Sequence, residues 1–370
     1  MLIPLVDLKA QHRQIADELQ QRLERLFENT AFILGEEVAS FEHEFAQFSG
    51  VKECVGVANG TDALEKMLSA VGVGNDDEVI VPANSFIATA AAVVRAGAVP
   101  RFVDSDPKTH LIDVQAVAQQ INRRTKAIVP VHLYGQIAPM EQLKALADQT
   151  GVLLLEDAAQ AHGASRDKQG IASIGLAAAT SFYPSKNLGG YGDGGAVLTN
   201  SDEIATAVRA LRNHGSETKH LHPRVGFNSR LDAIQAVVLS TKLKYLADWN
   251  EARRQAARRY DELLSGLDAV TLPVTLPGNE HVWYLYVVRV PGRDTVLRKL
   301  REASIGAALH YPLPTHLEGA FKQLCYQRGD FPVAEAASEQ VLSLPIFPGI
   351  TVEQQIYIVN ELQRSLAKVG

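Results

Sequence analysis

The chain has 370 residues, 46% of them hydrophobic and 21% charged, with a formal net charge of −6. That length suits a large core with a second, smaller unit, and the composition excludes a disordered chain. Mild, dispersed acidity without a Lys/Arg cluster or a long uncharged apolar run argues against a nucleic-acid or membrane partner, and a small anionic or neutral ligand fits better.

The opening MLIPLVDLKAQHRQI lacks a basic end followed by a continuous apolar stretch, so a soluble cytoplasmic protein is expected. Cys54 and Cys325 are far apart and lack metal-ligand spacing. They fit a reducing compartment and are both expected as small core residues.

From residue 60 to 200 short apolar runs alternate with helical patterns: TDALEKMLSAVG, DEVIVP, NSFIATAAAVVRAGA, VPRFVD, VQAVAQQI, KAIVPVH, PMEQLKALADQTG and VLLLEDAA. The strand-like runs are near-continuous Val, Ile and Leu. This predicts an α/β fold with a mostly parallel sheet covered by helices on both faces, and a ligand beyond the carboxyl ends of the strands. ATSFY and GAVLTN are two further strands around a glycine loop, placed either as neighbours or as an antiparallel insertion. RLDAIQAVVLSTKLKYLADWNEARRQAARRYDELLSG predicts one unusually long helix from Arg230 whose charged later half leaves the large domain. The strands WYLYVVRV and GAALHYP, the helix DTVLRKLREA and a closing helix from about Val352 then form a smaller α+β domain. The expected division is 1–245 and 246–370.

Several positions carry chemistry. Lys186 lies between SFYPS and a run of glycines; alone it reads as a surface lysine, but a desolvated lysine is also a nucleophile and a Schiff-base partner. VLLLEDAAQAHGA ends a buried strand with Glu156, Asp157 and then Gln160. An Asp there is either a helix cap or the partner of a protonated pyridine nitrogen in an electron-sink cofactor. Gly60 and Thr61 open a helix whose N–H groups offer a phosphate site or only a cap. Phe86 follows a strand and a turn, as core or as a ring lying over a flat cofactor. GGYGDGG lacks dinucleotide-fingerprint spacing and instead lets backbone pass close to the lysine. His132, His162 and His214 read as structural, and His220 with His222 as surface, so no metal site is expected.

The order GTDAL, NSFIAT, EDAAQAHGA, SFYPSKNLGGYGDGGA, NHGS, GFNSRLDAIQA, HVWYLYVVR and HYPLPTH resembles the pyridoxal-phosphate-dependent nucleotide-sugar aminotransferases of the DegT/StrS type, with the fold-type I architecture of aspartate aminotransferase. The match runs from DLKAQ to LSLPIFP. It implies that Lys186 carries pyridoxal 5'-phosphate as a Schiff base and that Asp157 pairs with its ring nitrogen. It also implies Gln160 beside the ring hydroxyl, Phe86 stacked on the ring, and Gly60, Thr61 and Ser181 on the phosphate. Asn228 would reach that phosphate from the other subunit of a homodimer. Tyr183, His310 and Tyr311 would meet the sugar. The implied reaction moves an amino group from L-glutamate to a nucleotide-linked keto sugar, with a dTDP-3-oxo-6-deoxyhexose preferred. A 4-keto sugar enzyme is the main alternative. A sugar dehydratase, in which a histidine replaces the lysine, and a non-catalytic sensor, which would lose Lys186, Asp157 or the phosphate site, fit less well.

Overall fold

The computed structural model describes residues 1–218 and 220–367. Helices α1 (Leu8–Asn29) and α2 (Glu36–Ser49) precede β1 (Glu53–Val57) and α3 (Gly60–Ala70). Strands then alternate with helices: β2 (Glu78–Pro82), α4 (Ile87–Arg95), β3 (Val99–Val103), α5 (Val114–Gln120), β4 (Thr125–Ile128), α6 (Met140–Thr150), β5 (Leu153–Leu154) and β6 (Glu156–Asp157). A small hairpin, β7 (Ser165–Arg166) and β8 (Gln169–Gly170), leads to β9 (Ala177–Ser181) and β10 (Gly195–Thr199).

The strands form two four-stranded segments, β3-β2-β4-β5 and β1-β10-β9-β6. They are parts of one sheet. β5 and β6 are separated only by Leu155, whose N–H donates to the Ile128 carbonyl at 3.0 Å. β2 pairs in parallel with β3 and β4, and β6 with β9. β10 is antiparallel to both β9 and β1, so ATSFY and GAVLTN are antiparallel neighbours. All five residues of β2 and of β10 are buried, because helices cover both faces, and that favours small and branched apolar residues over alternation. On one face Phe182 lies edge-on to Phe41 and Phe45, at 5.3 and 5.4 Å between centroids. Truncating such a ring costs about 3–5 kcal/mol.

Beyond β10 come α7 (Asp202–Arg212), α8 (Ala233–Leu243) and α9 (Leu246–Leu264). The single long helix expected from Arg230 is therefore two helices. α8 is buried over nearly its whole surface, whereas α9 is amphipathic, and the chain re-aims at Lys244 and Tyr245 to satisfy both environments. Leu246 and Trp249 belong to the core around the sheet, while Ala256, Tyr260 and Leu264 belong to a separate cluster with Ile3, Tyr286, Val288 and Leu362.

That second cluster is built from β12 (Tyr286–Arg289), which follows the short β11 (Asn279–Glu280), and from α10 (Arg293–Glu302), β13 (Val341–Leu344) and α12 (Val352–Leu366), while α11 (Pro332–Gln340) packs its Ala334 and Ala337 into other clusters. β12 pairs antiparallel with β13. The strand expected from Trp283 begins only at Tyr286. The buried Arg253 guanidinium donates to the Trp283 and Ile346 carbonyls at 3.2 and 2.9 Å, which turns this backbone away from a ladder. GAALHYP likewise contributes only a bridge between Ala308 and Ser343. Cys54 is buried as expected, but Cys325 is exposed, since it sits in the left-handed cap of a short 3-10 turn.

Candidate active site

The site lies at the carboxyl ends of β2, β6 and β9, where a mostly parallel sheet leaves a crevice. β6 ends on adjacent carboxylates that face opposite ways. Glu156 accepts from the Ala172 and Gly175 N–H groups, each at 2.8 Å, and contacts His132 Nε2 at 2.9 Å. It is a structural residue. Asp157 is 5% exposed and faces the crevice. Its Oδ2 accepts from Thr89 Oγ1 at 2.7 Å and its Oδ1 from the Ala159 N–H at 3.1 Å. Burial pushes the Asp157 carboxyl above its usual range, while those hydrogen bonds and the charges of Lys186 and His132 pull it back.

Lys186 follows β9 on a turn closed by its own N–H to the Tyr183 carbonyl at 2.8 Å. Its Nζ sits 4.2 Å from the centroid of the Tyr284 ring, a cation–π contact. Its charge also acts on His162 and His310, so the amine points into the same crevice as Asp157. The glycines after it are needed for close approach. A Cβ on Gly189 would lie 2.3 Å from the Pro184 carbonyl oxygen, and one on Gly195 2.4 Å from that of Asn59. No side chain fits there.

Ser181, at the end of β9, meets the start of α3. A Cβ on Gly60 would stand 2.5 Å from Ser181 Cβ, so only glycine lets the first turn of α3 come this close to the serine. Asn59 caps the helix by accepting from the Asp62 N–H at 2.9 Å. Thr61 follows Gly60 in that first turn, where unpaired N–H groups and the helix dipole favour an anion.

Gln160 is 4% exposed and is held at both ends of its amide: Oε1 accepts from the Tyr134 N–H at 2.7 Å, and Nε2 donates to Tyr311 Oη at 3.1 Å. Tyr311 in turn lies 5.6 Å from Phe86, centroid to centroid. Phe86 caps the start of α4 and is 52% exposed, so it is not core. His310 Nδ1 contacts Ser343 Oγ at 2.8 Å, and burial followed by the Lys186 charge lowers its pKa to about 4. Its ring is tied to β13 while its carbonyl accepts from the Tyr134 hydroxyl.

Thus Asp157, Gln160, Lys186, Tyr311, Phe86, Ser181, Gly60 and Thr61 converge from distant parts of the chain. Tyr183 is 56% exposed beside them. Asn228 is exposed on a segment bridged antiparallel to Asn213, and no contact joins it to the lysine of its own chain among the described residues. His162 is buried, contacts Thr180 Oγ1 at 2.8 Å and has its pKa lowered to about 3 by burial, and His132 is likewise enclosed. His214, expected to be structural, is exposed, on a backbone in the left-handed region. His220 and His222 are exposed, and no cluster of metal-ligating side chains occurs among the described residues. No helix among those residues is long and apolar enough to cross a membrane.

Thr89, Tyr134 and Tyr284 were not singled out by sequence. Each sits in an apolar run where a hydroxyl residue reads as ordinary core, and only the register of helix or loop aims it at the crevice.

These residues suit a phosphorylated pyridine. The buried Asp157 carboxylate is raised in pKa and lacks a hydrogen-bonded cation, and a ring N–H⁺ would supply one. The approach of Gly60 to Ser181 is closed to a Cβ and leaves the first-turn N–H groups of α3 beside the serine, as a phosphate requires.

The sequence profile of the DegT/DnrJ/EryC1/StrS aminotransferase family matches residues 13–363. The chain is 44% identical to a pleiotropic regulatory protein of Geobacillus stearothermophilus, covering 98% of each. It is 43% identical to a UDP-N-acetyl-3-dehydro-alpha-D-glucosamine 3-aminotransferase of Acidithiobacillus ferrooxidans, covering 98% of each. It is equally, 43%, identical to a dTDP-3-amino-3,4,6-trideoxy-alpha-D-glucose transaminase of Micromonospora megalomicea, covering 97% of this chain and 96% of that one. Among solved structures, DesV of S. venezuelae in complex with a ketimine intermediate superposes with a TM-score of 0.96 at 41% identity, covering 98% of each chain. The fold, the crevice and these matches make the chain a member of the DegT/DnrJ/EryC1/StrS aminotransferase family of pyridoxal-phosphate-dependent enzymes.

Proposed function

We propose that the chain transfers an amino group from L-glutamate to the keto carbon of a nucleotide-linked hexose, as a homodimer in which Asn228 completes the partner's phosphate site. The observation that carries the reading is the meeting of the Lys186 amine and the buried Asp157 carboxylate in one crevice, beside a cradle only glycine permits. Residues 1–245 form the cofactor unit in this reading and 246–370 the smaller one, the last three residues lying outside the described ones.

The bound cofactor supplies a carbonyl carbon for imine formation and a protonated ring that takes up an electron pair. This chain's residues do the rest. Asp157 would pair, as the anion, with the ring nitrogen and keep it protonated. Lys186 would supply the amine that holds the cofactor and, as a free amine, the base that moves a proton at the donor carbon. Gly60, Thr61, Ser181 and the partner's Asn228 would hold its phosphate, with Phe86 and Gln160 beside the ring. Tyr183, His310 and Tyr311 line the side open to the sugar.

The preferred acceptor is a dTDP-linked 3-oxo-6-deoxyhexose giving a 3-amino sugar. Support comes from relatives named for 3-amino products, although they include both UDP and dTDP enzymes. A few kcal/mol from one or two loop residues separates such substrates. A panel of dTDP- and UDP-linked 3-keto and 4-keto hexoses, assayed with glutamate, tests the choice. Amination confined to a 4-keto sugar would overturn it. A non-catalytic role is disfavoured by the retained Lys186 and Asp157.

A further inference from the structure

The segment that carries Asn228 is fastened to α3 on both sides of that residue. On one side, Lys66 is fully buried and its Nζ stands 3.6 Å from the centroid of the Phe227 ring. On the other, Ser229 Oγ donates to Asp62 Oδ2 at 2.5 Å and accepts from the Ala58 N–H at 3.3 Å. The Lys66 ammonium is shared with Glu65 at 3.1 Å and Asp62 at 3.7 Å, and Arg95 closes the network on the same two carboxylates, at 2.8 Å and 3.2 Å. Placing an ammonium out of water is costly, and an apolar side chain of similar volume would fill the space at least as well. A buried charge kept in such a position is best explained by what its geometry fixes. Here it fixes Phe227, and the exposed Asn228 between Phe227 and Ser229 is left with little freedom to turn.

Resting on the dimeric reading above, we propose that Lys66 is a positioning residue for Asn228 and acts on the partner's phosphate site, not on its own. The helix that offers its N-terminus to the phosphate in one protomer thereby also aims a side chain at the phosphate of the other.

Mixed dimers test this, because the yellow absorbance of the lysine-bound cofactor forms only on a chain with Lys186. In the first arrangement a Lys66→Met/Lys186→Ala chain pairs with an unaltered chain, and the yellow site depends on Asn228 of the altered chain. In the second a Lys66→Met chain pairs with a Lys186→Ala chain, and the yellow site receives Asn228 from a chain with intact Lys66. Titration with pyridoxal phosphate is expected to give about a tenfold higher dissociation constant in the first arrangement and an unchanged one in the second. Phe227→Leu, which removes the ring without burying a charge, should reproduce the pattern if Lys66→Met folds poorly. Asn228→Ala in the first arrangement separates the two claims. If it weakens binding and neither Lys66→Met nor Phe227→Leu does, the role of Lys66 is wrong while the dimeric site stands. If Asn228→Ala is silent, both fail. A loss in the second arrangement, alone or equal to that in the first, also overturns the proposal.

Discussion

The Thr89 hydroxyl donates a 2.7 Å hydrogen bond to the buried Asp157 carboxylate. A carboxylate this enclosed drifts toward its neutral form, and Thr89 opposes the drift. Replacing Thr89 by Val keeps the shape and removes the donor. Asp157 then takes up a proton at higher pH, so the acid limb of kcat/KM should move upward in pH with the alkaline limb unmoved. An unchanged acid limb would show that the hydroxyl does not tune this carboxyl.

Asp157→Asn should divide stability from activity. With a raised pKa in the folded apoprotein, the carboxyl costs stability at neutral pH, since the folded state must hold a buried charge that the unfolded chain solvates. The amide should therefore raise the melting temperature of the apoprotein while lowering turnover by roughly 10²–10³-fold. Near-normal turnover would reduce Asp157 to a turn residue.

Gly60→Ala places a methyl 2.5 Å from Ser181 Cβ, and β9 is held in place by its ladders to β6 and β10. The expected cost is about 1–3 kcal/mol of apoprotein stability, together with a clearly weaker affinity for pyridoxal phosphate in a spectroscopic titration. Unchanged affinity would place the phosphate elsewhere.

Tyr284→Leu removes the ring 4.2 Å from the Lys186 Nζ. Loss of a half-buried cation–π contact worth about 1 kcal/mol leaves the amine less firmly held, so pyridoxal phosphate should bind roughly fivefold more weakly in a spectroscopic titration. An unchanged affinity for pyridoxal phosphate would contradict this.

Three buried histidines and the partly buried His310 predict the acid response of the fold. Burial lowers the pKa of His110 and His310 to about 4, and of His162 and His281 to about 3. Each is neutral in the folded protein, whereas the unfolded chain takes up a proton near the ordinary value of about 6.5. Stability should therefore drop as pH falls from about 6.5 toward 4, with Asp157 and Asp261, whose burial raises their pKa, acting the other way. Urea midpoints of the apoprotein near pH 7 and near pH 5 check the sign. A higher midpoint at the lower pH would refute it.

Much of this was legible in the sequence for definite reasons. Near-continuous Val, Ile and Leu runs such as VLLLED and DEVIVP could be stable only between two layers of helix, and carboxyl-end residues such as Asp157 and Lys186 followed from that. Other features depended on contacts between remote segments. The break at Tyr245 and the irregular backbone at Trp283 reflect burial of α8 and the grip of Arg253, which no local pattern encodes. Thr89 and Tyr284 were hidden for a related reason: in a core-like run, orientation decides between packing and chemistry. Glu156 carried as strong a signal as Asp157, and strand alternation alone sent it to the opposite face.

The central claim is that Lys186 and Asp157 work together on pyridoxal phosphate to exchange amino groups. Its most direct test is to load the protein with pyridoxal phosphate, add L-glutamate alone, and quantify pyridoxamine phosphate and 2-oxoglutarate. The unaltered protein should lose its yellow absorbance and form both products in equal amounts, whereas Lys186→Ala should form neither. No conversion by the unaltered protein, or conversion that persists in Lys186→Ala, would contradict the account.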